Sequence, residues 1–166
     1  MEKGESWEDK GKMGEPETIF YLNEFEHALD KQGRVAIPAS WRSADGSGRF
    51  VLLPSSDSSL KLMPYPLFRE MIAEKVKQIS LGDNTAAGEL AVLGSSSQEC
   101  SCDKQGRIQI GQKLLVHAGI KEKAALVGAI AYIQIWDPGL WQERKKNTAD
   151  CYEVLGKLSG VKKDGE

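Results

Sequence analysis

Two histidines, three cysteines and no apolar run of membrane length leave this 166-residue sequence poor in the groups that catalysis, metal binding or bilayer insertion require. A helix that spans a bilayer takes about 20 consecutive apolar residues. No segment comes near that. The stretch Met1 to Thr18 is polar and mixed in charge, unlike a secretory leader with its apolar centre, so a cytoplasmic location is expected. Cys100, Cys102 and Cys151 are too few and too unevenly placed for a disulfide framework. Cys100 and Cys102 share one face of a strand, but structural zinc takes four ligands, and core packing is the expectation for both. No HExxH, GxSxG or phosphate-binding glycine loop is present, and neither His27 nor His117 has a nucleophile set beside it by a motif. These absences predict a protein that is not an enzyme, with no cofactor, no small-molecule substrate and no membrane.

Charge of one sign is scarce as well. The formal net charge is −2, and residues 1–18 hold six acids against three bases. The remaining body is therefore close to neutral. A near-neutral body can still carry one basic face, and the local field decides what it attracts. The segment 1–18 has no periodicity and reads as a disordered acidic tail.

What the sequence does contain is a repeat. Asp30-Lys31-Gln32-Gly33-Arg34 returns unchanged as Asp103-Lys104-Gln105-Gly106-Arg107, 73 residues later. The same offset carries Glu26 to Glu99, Val35 to Ile108, Ile37 to Ile110, Leu62 to Ile135 and Phe68 to Trp141. A register kept without net gap over such a span points to duplication. Each copy reads alike. Phe25, His27 and Leu29 alternate with polar neighbours as in a strand. Asp-Lys-Gln-Gly makes a tight turn, in which Asp accepts backbone amides and Gly supplies a positive φ. Alternation resumes with Val35 and Ile37, or with Ile108 and Ile110. This predicts a β-hairpin with a Lys and an Arg at its tip in each copy.

A short helix follows each hairpin, over Ala39–Ser43 in the first copy and Gln112–Ala118 in the second, where Gly119 is the stop. A second hairpin and an amphipathic helix complete each copy, opened by Pro66 or by Asp137-Pro138. The predicted organisation is a tail 1–18, a first repeat 19–82, a helical linker 83–96, a second repeat 97–158 and a frayed end 159–166. A unit of such short strands makes a marginal core alone. Two copies about a pseudo-twofold axis would complete one barrel between them, giving an α+β, mainly β fold with flanking helices. Trp41, Trp136, Trp141, Tyr65 and Phe68 fall where that packing buries them.

The tips carry the functional reading. Lys31, Gln32 and Arg34, with Lys104, Gln105 and Arg107, stand on turns shaped by Asp30, Gly33, Asp103 and Gly106. A two-stranded ribbon fits the major groove of DNA, where Arg reads guanine, Gln reads adenine and Lys holds phosphate. The competing account treats Asp-x-x-Gly-Arg as a good turn and nothing more. Two identical copies, including Lys and Gln, favour the groove.

The runs Glu26-His27-Ala28-Leu29-Asp30-Lys31-Gln32-Gly33-Arg34-Val35-Ala36-Ile37-Pro38 and Glu99-Cys100-Ser101-Cys102-Asp103-Lys104-Gln105-Gly106-Arg107-Ile108 resemble the paired motifs of the MraZ family. His117-Ala118-Gly119-Ile120 and Ile135-Trp136-Asp137 support the likeness, which runs from about Phe20 to Trp141. The resemblance implies tandem AbrB-like (SpoVT-AbrB) swapped-hairpin domains in a nucleoid-associated regulator. It further implies a ring-shaped homo-oligomer that binds direct repeats in double-stranded DNA, upstream of a division and cell-wall gene cluster including its own gene, and represses it. The Arg of the motif, Arg34 and Arg107 here, is the implied chief DNA contact. An antitoxin-like DNA-binding module is the alternative reading, disfavoured by two fused units and a short C-terminal tail. The chain departs from the family at Thr85-Ala86-Ala87-Gly88-Glu89-Leu90, where basic residues are usual.

Overall fold

The computed structural model describes residues 19–43, 48–80 and 82–160. The predicted acidic tail lies outside those residues, as does 161–166 of the predicted frayed end. The first copy supplies β1 (Glu24–Ala28), β2 (Arg34–Ala36), a 3-10 turn (Ala39–Trp41), β3 (Arg49–Pro54), β4 (Leu60–Pro64) and α1 (Tyr65–Lys77). After α2 (Asn84–Ser96), the second copy supplies β5 (Gln98–Ser101), β6 (Arg107–Gln109), α3 (Gln112–Ala118), β7 (Lys123–Gly128), β8 (Ile133–Trp136) and α4 (Pro138–Lys146). A short break separates α4 from α5 (Cys151–Leu158). The result is a mixed α and β fold.

All the strand pairings are antiparallel, in a six-stranded sheet of order β1-β7-β8-β4-β3-β5 and a separate ribbon β2-β6. Two corrections to the sequence reading follow. The strands on either side of each turn do not form a ladder with each other; β1 pairs with β7 and β5 with β3, each in the other copy. The expected closed barrel is not formed among the described residues, because β1 and β5 end the order on opposite sides. Burial explains the first correction. Strands of three to five residues make a weak flat hairpin with one wet face. Splitting each hairpin between two sheets lets Val35, Ile37, Ile108 and Ile110 point inward, at 2% exposure or less.

The order reads the same from either end once the copies are exchanged, and β2 pairs with its own counterpart. The central core lies between the ribbon and one face of the sheet, where Val35, Ile37, Ile108 and Ile110 meet Leu52, Leu60, Leu62, Leu126, Ile133 and Ile135. Burying an aliphatic side chain of this size contributes about 1.5–3 kcal/mol. Cys100 belongs to this core, and burial pushes its thiol up to about 12. The opposite sheet face is covered twice. In copy one Val51, Leu53 and Met63 pack with Phe68 of α1; in copy two Ala125, Val127 and Trp136 pack with Trp141 of α4. The bulky Trp136 stands where copy one has Met63, and the small Ala125 where it has Val51, so volume is traded within the layer.

The constant offset conceals a compensated slip. Leu126 pairs with Ile135 as Leu52 pairs with Leu62. Ile135 stands 73 residues after Leu62, but Leu126 stands 74 after Leu52. Copy two has one residue more before its third strand and one fewer in the turn after it.

The helices mostly follow their caps. Gly119 sits at φ +65° and ends α3, and the Asp137 carboxylate accepts the Leu140 amide at the start of α4. The Asp83 carboxylate accepts the Thr85 and Ala86 amides of α2, which runs on to Ser96. There the Ser95 and Ser97 hydroxyls donate to the freed carbonyls of Val92 and Leu93. The helix predicted over Ala39–Ser43 is shorter, a single 3-10 turn after which Arg42 turns extended at φ −96° and ψ 142°. Trp41 anchors that point. Its indole N–H donates to the Leu22 carbonyl, and its ring meets Tyr21 and Phe25 edge-on. Leu114 in the second copy makes no such anchor, and α3 continues.

Candidate nucleic-acid interface

Each tip is built by one carboxylate. Asp30 Oδ1 accepts the amides of Gln32 and Arg34, both at 2.9 Å. Asp103 Oδ1 accepts those of Gln105 and Arg107, also both at 2.9 Å. The Gly33 and Gly106 amides close the turns onto the Asp30 and Asp103 carbonyls. Both glycines stand at φ +77°, a conformation that costs an L side chain about 1–2 kcal/mol. The repeat therefore extends to the hydrogen bonds.

The second carboxylate oxygen aims the arginine. Arg34 Nε donates to Asp30 Oδ2 at 2.6 Å, and Arg107 Nε to Asp103 Oδ2 at 3.1 Å. Arg107 Nη1 also reaches Asp30 Oδ2 at 3.4 Å, tying the second tip to the first. The amide of Arg34 first, with its guanidinium, holds the Asp30 carboxyl below the usual carboxylate range; the amide of Arg107 leads the same effect at Asp103. Both carboxylates are charged at neutral pH. They act as splints for the guanidinium planes rather than as free acids.

The register of the ribbon sets where the arginines face. Arg34 lies opposite Gln109, Val35 opposite Ile108, and Ala36 opposite Arg107. Val35 and Ile108 are fully buried, so by strand alternation Arg34, Ala36, Arg107 and Gln109 occupy the outer face. Arg34 and Arg107 are diagonal neighbours, about 7–8 Å apart at the backbone. Lys31, Gln32, Lys104 and Gln105 are exposed at the turns, while the two arginines are half-buried along the ribbon. Four cations against two carboxylates leave two net positive charges on this face.

Of the six predicted contact residues, Arg34 and Arg107 lie on the ribbon, while Lys31 and Gln32 stand on the turn at one end of it and Lys104 and Gln105 on the turn at the other. Sequence reading missed two others. Gln109 is on the same face and donates to the Gln32 carbonyl at 3.2 Å; the alternation of β6 was the signal that could have found it. Arg42 lies over Gly106, where an added Cβ would come within 2.3 Å of its Nη1. No local signal announced that contact, since position 42 holds no cation in the other copy.

Other groups do not compete as sites. Among the described residues no cluster of His, Cys, Asp or Glu could hold a metal ion, and no helix is long and apolar enough to cross a membrane. The His117 Nε2 is engaged with the Ser55 carbonyl. Lys145 of the basic run on α4 is paired with Glu24.

Comparison with known proteins places this geometry in a lineage. A family model described as "MraZ protein, putative antitoxin-like" matches residues 20–90 and 94–151. A protein of Pelotomaculum thermopropionicum is 32% identical over 135 residues, 81% of this chain and 92% of its own. One of Clostridium acetobutylicum is 30% identical over 139 residues, 84% and 96% of the two chains. One of Thermomicrobium roseum is 36% identical over 121 residues, 73% and 84%. All three are named transcriptional regulator MraZ.

Proposed function

The chain belongs to the MraZ family, and from that membership and the paired tips we propose that it is a sequence-specific DNA-binding transcriptional regulator rather than an enzyme. One observation carries the reading: Arg34 and Arg107 emerge on the same outer face of a single ribbon, each held by a carboxylate. A ribbon of this width enters the major groove. The oriented guanidinium planes suit bidentate bonds to guanine edges, Gln32 and Gln105 suit adenine, and Lys31 and Lys104 suit the flanking phosphates.

The exchange of first strands between copies supports tandem AbrB-like swapped hairpins, with repeats over 19–82 and 97–158 joined by the linker 83–96. The target is a set of direct repeats upstream of a division and cell-wall gene cluster that includes the protein's own gene, and the outcome is repression in the nucleoid. With a net of two charges per ribbon, a single chain holds DNA weakly. A ring-shaped homo-oligomer reading several repeats at once gains through effective concentration. Helix α5 supports that assembly, since it buries no residue and exposes Tyr152, Leu155 and Leu158.

Arg34→Ala tests the reading. Binding to DNA from upstream of the gene, in a gel-shift assay at physiological salt, is expected to be lost, with particle mass unchanged. Full-strength binding by the variant would overturn it.

A further inference from the structure

The two tips match bond for bond, yet what lies behind their glycines differs. A Cβ on Gly33 would meet the Ile110 carbonyl oxygen at 3.0 Å and Leu115 Cδ1 at 3.3 Å. A Cβ on Gly106 would come first against Arg42, at 2.3 Å from Nη1, 2.6 Å from Cζ and 3.0 Å from Nε. The guanidinium therefore fills the space where a side chain at position 106 would begin. Arg42 and Leu115 are the same position of the repeat, 73 residues apart. In copy two that position is inside α3 and buried. In copy one the helix has already ended, and the chain turns Arg42 out onto the opposite tip.

Packing alone does not account for an arginine there. Leucine fills the equivalent place in the other copy. The arginine, moreover, leaves its Nε buried with no hydrogen-bond partner, an arrangement that disfavours folding unless the charged head serves some other contact. The rest of the residue is half exposed. Its charge also offsets part of the effect of burial on the neighbouring Cys102 thiol, which is otherwise pushed up. Around Gly106 three cations, Arg42, Lys104 and Arg107, stand against Asp103, with Arg107 also reaching Asp30. Around Gly33, Lys31 and Arg34 stand with Asp30, and Lys121 lines the same hollow, but leucine takes the place that Arg42 has beside Gly106.

We propose that Arg42 is a third cation of the second tip, a phosphate-anchoring residue set against the glycine of the turn at 103–107. This rests on the DNA-binding reading of the tips. The copies then divide the work. Tip two anchors a phosphate through a guanidinium set beside its glycine, and tip one has the buried Leu115 at that place instead.

The test is Arg42→Leu, which installs the residue of the other copy, in the full-length protein. Log affinity is measured against log salt concentration, on upstream DNA and on unrelated DNA, beside Arg107→Ala. Each phosphate contact contributes about 0.9 to the salt slope on duplex DNA. Arg42→Leu is expected to weaken both DNAs by a similar factor, about tenfold near 0.15 M salt, and to lower the slope by about 0.9 for each copy engaged. Arg42→Lys is expected to keep the slope. An unchanged slope in Arg42→Leu, with a reduced one in Arg107→Ala, overturns the role of Arg42 and leaves the tips intact. Wild-type affinity and slope in both overturn the reading that the tips bind DNA. If circular dichroism shows that Arg42→Leu is unfolded, Arg42→Gln decides, and wild-type slope in that uncharged variant overturns the proposal.

Discussion

Copy one and copy two of the turn share five residues, one backbone conformation and one set of hydrogen bonds, but they stand on different ground. Behind Gly33 is the rigid body of the second copy, a strand-end carbonyl and a buried leucine. Nearest behind Gly106 is the guanidinium of Arg42. The contrast shows how duplicated elements diverge. The turn is fixed by its own Asp and Gly and stays the same, while its support depends on a helix that one copy extends and the other cuts short at Trp41.

The comparison can be broken first at the pair that joins the copies. Val35 and Ile108 face each other at the centre of the ribbon, both fully buried. Ile108→Ala is expected to cost about 2–5 kcal/mol, and Val35→Ala, a smaller deletion, about 2 kcal/mol. Urea midpoints measure both. Effects near zero would mean that the ribbon does not hold the halves together.

Substituting the glycines sharpens the contrast. Gly33→Ala and Gly106→Ala share a conformational cost of about 1–2 kcal/mol. The methyl at 33 meets backbone that cannot yield, whereas at 106 it displaces Arg42. The variant at 33 is expected to lose more thermal stability. The variant at 106 is expected to lose more of the salt slope in DNA binding. Equal behaviour in both measurements would erase the distinction.

The smallest effect concerns acid. The Asp30 and Asp103 carboxyls are held below their usual range in the folded tips. Their contribution is thus fully present above the ordinary carboxylate value, about 3.9, and is lost as pH falls through the lower folded values. Asp30 splints both arginines and Asp103 only one. Asp30→Asn should therefore flatten the pH dependence of the urea midpoint below pH 4 more than Asp103→Asn does. The reverse order would show that the tie between tips contributes nothing.

Much of this was legible in the chain. The repeat, the turn chemistry, the caps at Asp137 and Gly119, and the inward rows at Val35, Ile37, Ile108 and Ile110 all follow from local rules. The partner of each strand was not. Alternation tells which side of β1 is wet, but it does not tell whether Phe25 lies beside its own hairpin or beside Leu126 of the other copy. The early end of the first short helix depends on where the Trp41 ring finds room, which is a tertiary fact. Arg42 was hidden for that reason. Its neighbour Gly106 is 64 residues away, and its repeat equivalent is apolar.

The crossing of β1 into the second copy also orders events in time. Glu24 has no ladder partner until Val127 has been made, 103 residues later. On the ribosome the leading strand must wait, with its row of amides unclaimed, while β7 is still to be made. Such distant closure slows acquisition of the native state and prolongs exposure to wrong partners. A neighbouring nascent copy could offer a β7 of its own during that interval, making newborn chains of this protein prone to entangle in pairs.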